Sequence, residues 1–561
     1  NMNKHILKAG IIAAAFLTVS CNEKLFLDES PKSFLSPENA YVTIDDYNMA
    51  LNGLYAKVRD NFYNSGQNNC FEFFMSTDVA KNARGNNNFM GNMSNWCTPQ
   101  QANIKNVWER EYKLIANANT VITRIQNSNL TEEQKKSITA ESKFFRAFGY
   151  RTLVYLFGGV PLILDEVTSP RYDYTRATKT AILDAMKADF QEAAETLPEI
   201  TDVKDGRISK QVAQFYLAET LMSLGESDKA VPYLTSIISD PDISLMKTRF
   251  GSHKNDEGDV FWDLFRVKNQ NRGSGNTEAL WVIQMEADVI GGFLTTTSYR
   301  PWYLERFAAP VSYSLTDPEG KNAMLCTNGR STLNIGGRGV ANLNNTDWWL
   351  NDLWESDWSN DIRNSKWNIV RDIVYDNPKS KYYGKSAIAP ETYSKKLKTD
   401  KWRWYPWPSK ITTPGDHPAA LYQNEEQLSL KSTAGATYLD QYMLRLPEVY
   451  LLRAEAYLNL GKKDLAADDI NAVRERAQAK PVADADVTLD YILDERAREM
   501  VYEEFRRITL GRVGKYVERV RKCNSFNAPQ MEDKMELWPI PYSFIEANKD
   551  AKIEQNPGYT N

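Results

Sequence analysis

Apolar residues recur at helical spacing through two blocks of the chain, and the stretch between the blocks loses that spacing. In the first block the period of three to four residues runs from Tyr41 to Arg59 and returns at Asn103. It then passes through an apolar segment, Phe144 to Phe157, that stops at Gly158-Gly159 with Pro161 just beyond. Glycine tolerates the left-handed turn that closes a helix, and proline cannot continue one, so this is a strong stop. Further helices are predicted over 177–197 and 209–239. The second block, 441–522, reads as strong helix with no Trp in it. Between the blocks, residues 240–440 are rich in Gly, Pro, Asn, Thr and aromatics. Leu280-Trp281-Val282-Ile283-Gln284 predicts a short strand, and Trp402-Arg403-Trp404-Tyr405 a second, whose alternation would put both Trp on one side. A long Asn- and Gly-rich loop around Trp96, residues 60–103, interrupts the first block.

The two blocks echo each other. Ala218–Ala230 aligns with Ala454–Ala466, with six of thirteen positions identical. Each copy is a helix ending, a glycine at the corner (Gly225, Gly461) and a new helix opening, which is the unit of a tetratricopeptide repeat. Such pairs bury a core only by stacking, so the copies should belong to one body although far apart in sequence. The expected fold is mostly α: a tetratricopeptide-type helical scaffold with a large irregular, Trp-rich insertion containing short strands. Its divisions are a signal peptide (1–20), the first part of the scaffold with its loop 60–103 (21–239), the irregular aromatic-rich region (240–440), and the second part of the scaffold with a C-terminal tail (441–561).

Charge and composition narrow the chemistry. Of 561 residues, 68 are Lys or Arg and 73 Asp or Glu, a net charge of -5. That balance gives no global basic field and argues against a non-specific nucleic-acid binder. Ten of the fourteen Trp lie between Trp281 and Trp407, so the aromatic excess belongs to the insertion. There are three His in all, leaving multi-His metal sites without material. No H-E-x-x-H, G-x-S-x-G or Walker A sequence occurs, so no catalytic group, metal or cofactor is expected. Glu495, Glu499, Glu503 and Glu504 interleave with Arg496, Arg498, Arg506 and Arg507 at helical spacing, the pattern of an ion-paired scaffold face. Gly336-Gly337-Arg338-Gly339 reads as a turn. At the start, Lys4 and Lys8 precede an apolar run from Ala9 to Val19, too short to cross a hydrocarbon core of ~30 Å. It reads as an export signal, with Cys21 as the lipidated first residue of the mature chain. Cys70 and Cys97 could close a disulfide loop, but spacing alone does not pair them.

The order of short motifs resembles one family. Phe26-Leu27-Asp28 and Pro31 are followed by Phe144-Phe145-Arg146-Ala147 and Phe157-Gly158-Gly159-Val160-Pro161. Then come Leu444-Arg445-Leu446-Pro447-Glu448 with Arg453-Ala454-Glu455-Ala456, Phe505-Arg506-Arg507, Trp538-Pro539-Ile540-Pro541 and Gln555-Asn556-Pro557-Gly558-Tyr559. Over nearly its whole length the chain is similar to the SusD/RagB-like family of Bacteroidetes outer-membrane lipoproteins. The resemblance implies a non-enzymatic, lipid-anchored protein of the cell surface that captures oligosaccharide and delivers it to a SusC-like TonB-dependent transporter barrel. A peptide-binding lid of a similar transporter and an outer-membrane glycoside hydrolase are the alternatives. It also implies that an aromatic of the early loop joins aromatics of the insertion at the ligand site. The expected site residues are Asp78, Arg84, Asn95 and Trp96 from the loop, with Tyr299, Trp302, Trp348 and Trp349 from the insertion. At least half of the insertion's Trp are expected to be packing, Trp281 among them.

Overall fold

The protein is described by a computed structural model covering residues 40–63, 72–289, 292–293, 295, 302, 304–325, 339–412, 415–426, 428–431, 434 and 437–560. The export signal with Cys21, and also Cys70, Tyr299, Cys326 and the turn 336–338, lie outside these residues. Helices of six or more residues are numbered α1 to α12. The first block holds α1 (Ile44–Tyr63), α2 (Ala102–Ile125), α3 (Glu132–Phe157), α4 (Lys179–Thr196), α5 (Lys210–Ser223) and α6 (Ser227–Ile238). The second holds α7 (Leu446–Asn459), α8 (Lys463–Arg476), α9 (Leu489–Met500), α10 (Arg506–Arg512), α11 (Tyr516–Cys523) and α12 (Tyr542–Ala547).

α3 is the central member. Thr131 and Gln134 close a capping box at its start, and Gly158 ends it at φ +74°. From Ile138 onward nearly every residue except Lys143 is buried, because α2, α4, α10 and the insertion cover it from different sides. Two arginines in this interior are paired: Arg146 with Asp189 and Arg151 with Glu219. Trp281 packs edge-on against Phe148, with ring centroids 5.3 Å apart, and is core as expected.

The echoing segments form α5–α6 and α7–α8. At both corners the glycine has positive φ, +78° at Gly225 and +73° at Gly461. Glu226 N–H donates to Leu221 O and Gly225 N–H to Met222 O; Lys462 to Tyr457 O and Gly461 to Leu458 O repeat the pattern. These are Schellman closures. The second pair stacks directly on the first. Asn459 donates to Ser227 Oγ at 3.2 Å, and Arg453 bridges Asp469 of α8 and Thr235 of α6.

Eight short strands occur among the described residues, all in antiparallel pairs. β2 (Ala279–Ile283) is the strand expected around Trp281. It pairs with the last strand, Gln441–Arg445, which runs straight into α7, so β2 is held beside the point where the insertion re-enters the scaffold. β1 (Ala80–Asn82) pairs with β3 (Leu343–Asn345), Ala80 opposite Asn345, and thereby sews the early loop to the insertion. The Trp402–Tyr405 strand is not formed. Lys401–Arg403 is a 3-10 turn that leaves Trp402 half-exposed while Trp404 is buried, because Arg403 is turned back to Asp400.

Apart from Arg507, which donates to Met535 O and Glu536 O, the Glu/Arg series is ion-paired as expected, but inside the protein rather than on a solvated face. Arg363 bonds Asp361, Glu495 and Glu499; Arg445 bonds Glu278, Glu499 and Glu503. Every charge in such a net is desolvated, so each must have a partner or unfold the region.

Candidate functional site

The β1–β3 ladder opens on a cleft of about 440 Å³. Leu350, Ile388, Trp404 and Tyr405 make its apolar floor and wall. Tyr405 is fixed there by donating its hydroxyl toward Ala308 O (3.0 Å) and Leu343 O (3.2 Å). Around this floor stand Lys81, Asp347, Asn351, Arg371, Lys401 and Trp402. Lys81 Nζ meets Asp347 Oδ1 at 2.9 Å, an ion pair that ties the early loop to the start of the turn carrying Trp348 and Trp349.

Guanidinium groups lie against two aromatic side chains, Trp402 in the cleft's lining and Trp358 just outside it. Arg84 lies 4.1 Å from the centre of the Trp402 ring, and Arg403 4.5 Å from it. Arg84 is itself anchored by donating to Val340 O (2.7 Å) and Ala341 O (3.2 Å). Arg371 lines the cleft and lies 4.5 Å from the ring centre of Trp358, the most exposed Trp of the described residues at 46%. Arg371 donates to Leu350 O and Asn364 Oδ1, and burial lowers its pKa. The arrangement offers apolar ring surface beside fixed hydrogen-bond donors and one exposed carboxylate, Asp347. It suits a ligand with an apolar face and polar edges.

The expected site residues divide. Arg84 is at the cleft, as the wall behind Trp402. Asn95 is exposed on the early loop but does not line the cleft, and Trp348 is half-buried with Arg519 5.0 Å from its ring centre. Tyr299 lies outside the described residues. Four expectations are corrected by burial. Trp96 is packed edge-on against Trp538 at 5.4 Å, Trp302 against Tyr63 at 5.0 Å, and Trp349 against Trp354 at 5.5 Å. All three are at most 3% exposed and present no face to a ligand. Asp78 is fully buried between Arg506 and Arg519. Of the insertion's eleven Trp, six are buried. In the sequence, Trp358 and Trp402 belong to the Trp-rich insertion but are not among the expected site residues. Arg371 and Asn351 carried no signal there, since only the fold brings them to Lys81.

A larger groove, about 560 Å³, lies between α2 and α12. Its Trp108 is buried, and its Asn119 is spent on Ile163 O and Arg146. It belongs to the scaffold, and the β1–β3 cleft is the better-equipped site. Among the described residues no cluster of three His, Cys, Asp or Glu is placed to hold a metal ion. Cys97 is a free, buried thiol 3.0 Å from the Tyr559 hydroxyl, and burial pushes its pKa up to about 11. Among the described residues no helix is long and apolar enough to cross a membrane.

Comparison with known proteins agrees with this architecture. Residues 316–559 match the model of the SusD family, and residues 25–220 match a model described as starch-binding, associating with the outer membrane. A SusD-like protein of Formosa agariphila is 27% identical over 50% of this chain and 53% of its own. The chain spans about half the length of the first curated relatives it matches. A laminarin-binding SusD-like protein superimposes with a TM-score of 0.61 at 21% identity, over 92% of this chain and 100% of its own. Surface glycan-binding protein A of Bacteroides uniformis does so at 0.63 and 18%, over 92% and 99%. The two models together cover most of both helical blocks, the later part of the insertion and the C-terminal tail, and the chain belongs to the SusD/RagB-like family.

Proposed function

We propose that the protein is a cell-surface glycan-binding lipoprotein that captures oligosaccharide at the β1–β3 cleft. It delivers the oligosaccharide to a SusC-like TonB-dependent transporter of the outer membrane, and is held there by a lipid on Cys21. The reading takes the protein as a binder and not an enzyme. The observation that carries it is the half-exposed Trp402 beside Lys81, Asp347, Asn351 and Arg371 in one cleft, with the exposed Trp358 against Arg371 just outside the lining. A pyranose ring has apolar C–H faces and a rim of hydroxyls. An aromatic plane takes the face at little entropic cost, and fixed polar groups take the rim. The glycan-binding relatives named above support the same reading.

The test is a panel of oligosaccharides beside a panel of oligopeptides, scored by calorimetry on the wild type and on Trp358→Ala and Trp402→Ala. Stacking on an aromatic adds roughly 0.5–1.5 kcal/mol beyond area burial, so each variant should weaken glycan binding by up to about tenfold. Binding of peptides alone, or glycan binding indifferent to both substitutions, would overturn the assignment.

A further inference from the structure

The charge around the cleft is at odds with the charge of the chain. Between Lys379 and Arg403 there are eight Lys and Arg against two acids, Glu391 and Asp400, a local net charge of +6 in a chain of -5. This segment supplies one wall of the cleft through Ile388, Lys401 and Trp402. Lys395, Lys396, Lys398 and Lys401 are all exposed.

The partners of the cleft's cations decide how much of that charge is free. Lys81 is matched by Asp347 and Arg403 by Asp400. Arg84 donates to two backbone carbonyls, Arg371 to a backbone carbonyl and Asn364, and Lys401 to the Tyr393 hydroxyl at 3.1 Å. None of these three is paired with a carboxylate among the described residues. A guanidinium that has given up water for neutral acceptors keeps its full attraction for an anion. Asp352 and Glu355 are exposed on the turn leading to Trp358, and like Trp358 they lie outside the cleft's lining.

From this we infer that the glycan taken by the cleft is acidic, a polymer carrying carboxylates or sulfate esters along its chain. The inference rests on the reading of the cleft as a glycan site. Ring faces would stack at Trp358 and Trp402, while the anionic groups meet Arg371 and Lys401. The exposed lysines beyond the cleft would draw in the following units of the polymer. In a protein whose overall field repels polyanions, such a local patch is what lets one approach.

Three oligosaccharides of equal length test this: an oligomannuronate, a sulfated galactan oligomer and a neutral laminari-oligomer, with single-stranded DNA of similar charge beside them. At least one acidic glycan should bind about tenfold or more tighter than the neutral one at low ionic strength. That preference should shrink as salt rises from about 50 to about 500 mM, because the screening length falls to a few ångströms. Lys401→Gln should cut acidic-glycan binding severalfold more than neutral-glycan binding, at an unchanged melting temperature; a neutral-glycan loss as large as the acidic one would overturn the inference. Trp358→Ala should weaken the acidic glycan as well. Equal affinity for acidic and neutral glycans would overturn the acidic preference while leaving the glycan-binding reading intact. Binding to none of the three would remove that reading itself. DNA bound as tightly as the acidic glycans, with no effect of Trp358→Ala, would reduce the patch to a non-specific polyanion surface and overturn the inference.

Discussion

Trp96 and Trp358 are the same side chain in polar surroundings, with opposite fates. Trp96 follows a run of Asn and Gly that reads as solvated, but its ring is covered by Trp538, more than four hundred residues away. Local polarity could not reveal that partner. Trp358 lies in a stretch whose spacing reads as a helix, which would pack it inward. The backbone instead makes 3-10 turns there, and the ring stays outside against Arg371. The two should separate in experiment. Trp96→Ala is expected to destabilise the protein by about 3–5 kcal/mol, as truncation of a buried Trp does, and to leave the affinity of the folded fraction unchanged. Trp358→Ala should stay within about 0.5 kcal/mol of wild-type stability, as an exposed substitution does. Denaturant titration of both, beside binding isotherms, checks the pair; a stable Trp96→Ala protein would contradict the packing.

At the scale of elements, legibility followed period and punctuation. α3, the two Gly-cornered helix pairs and β2 could be read because each has a strong stop, a repeat or a short apolar run. The Trp402–Tyr405 strand failed because alternation over four residues is weak beside one local ion pair, Arg403 with Asp400. The β1–β3 pairing, on which the cleft depends, joins segments some 260 residues apart and has no local signature. Gly225 and Gly461 give a clean test of what was legible. A Cβ added at either would meet nothing within 4 Å, so any cost comes from positive φ alone. Gly225→Val and Gly461→Val should each cost about 1 kcal/mol or more, seen as a lower midpoint at unchanged slope in urea. Gly53, inside α1 with the same open surroundings but without positive φ, should tolerate Ala with a gain of up to about 1 kcal/mol. Equal losses at all three would show that the corner conformation is not the cause.

For the whole molecule, the decisive joint is one that no motif announced. Asp78 of the early loop is fully buried and bonded to Arg506 at 2.7 and 2.9 Å and to Arg519 at 3.0 Å, across more than four hundred residues of chain. Asn524 adds bonds to Thr77 O and Ala80 O at the same place. These contacts hold β1, and hence one edge of the cleft, on α10 and α11. Burial raises the Asp78 pKa, but the two guanidiniums outweigh it and hold the carboxyl at about 2. Glu495, buried among Arg363, Arg498 and Arg474, is held at about 2 in the same way. A carboxyl whose folded pKa is depressed stabilises the fold above its unfolded pKa and loses that contribution as pH falls toward the folded one. Each should therefore contribute a few kcal/mol at neutral pH that vanishes progressively between about pH 4.5 and pH 2. Asp78→Asn leaves two buried cations short of a partner and should cost about 3 kcal/mol or more at pH 7. The gap between wild type and Asp78→Asn should narrow steadily below pH 4.5. Because the joint links the first block to the second, the variant should still melt in one transition, with hydrogen exchange at β1 and in α10–α11 accelerated together. A gap that stays constant down to pH 2, or exchange accelerated at β1 without α10–α11, would show that Asp78 does not couple the two ends of the chain.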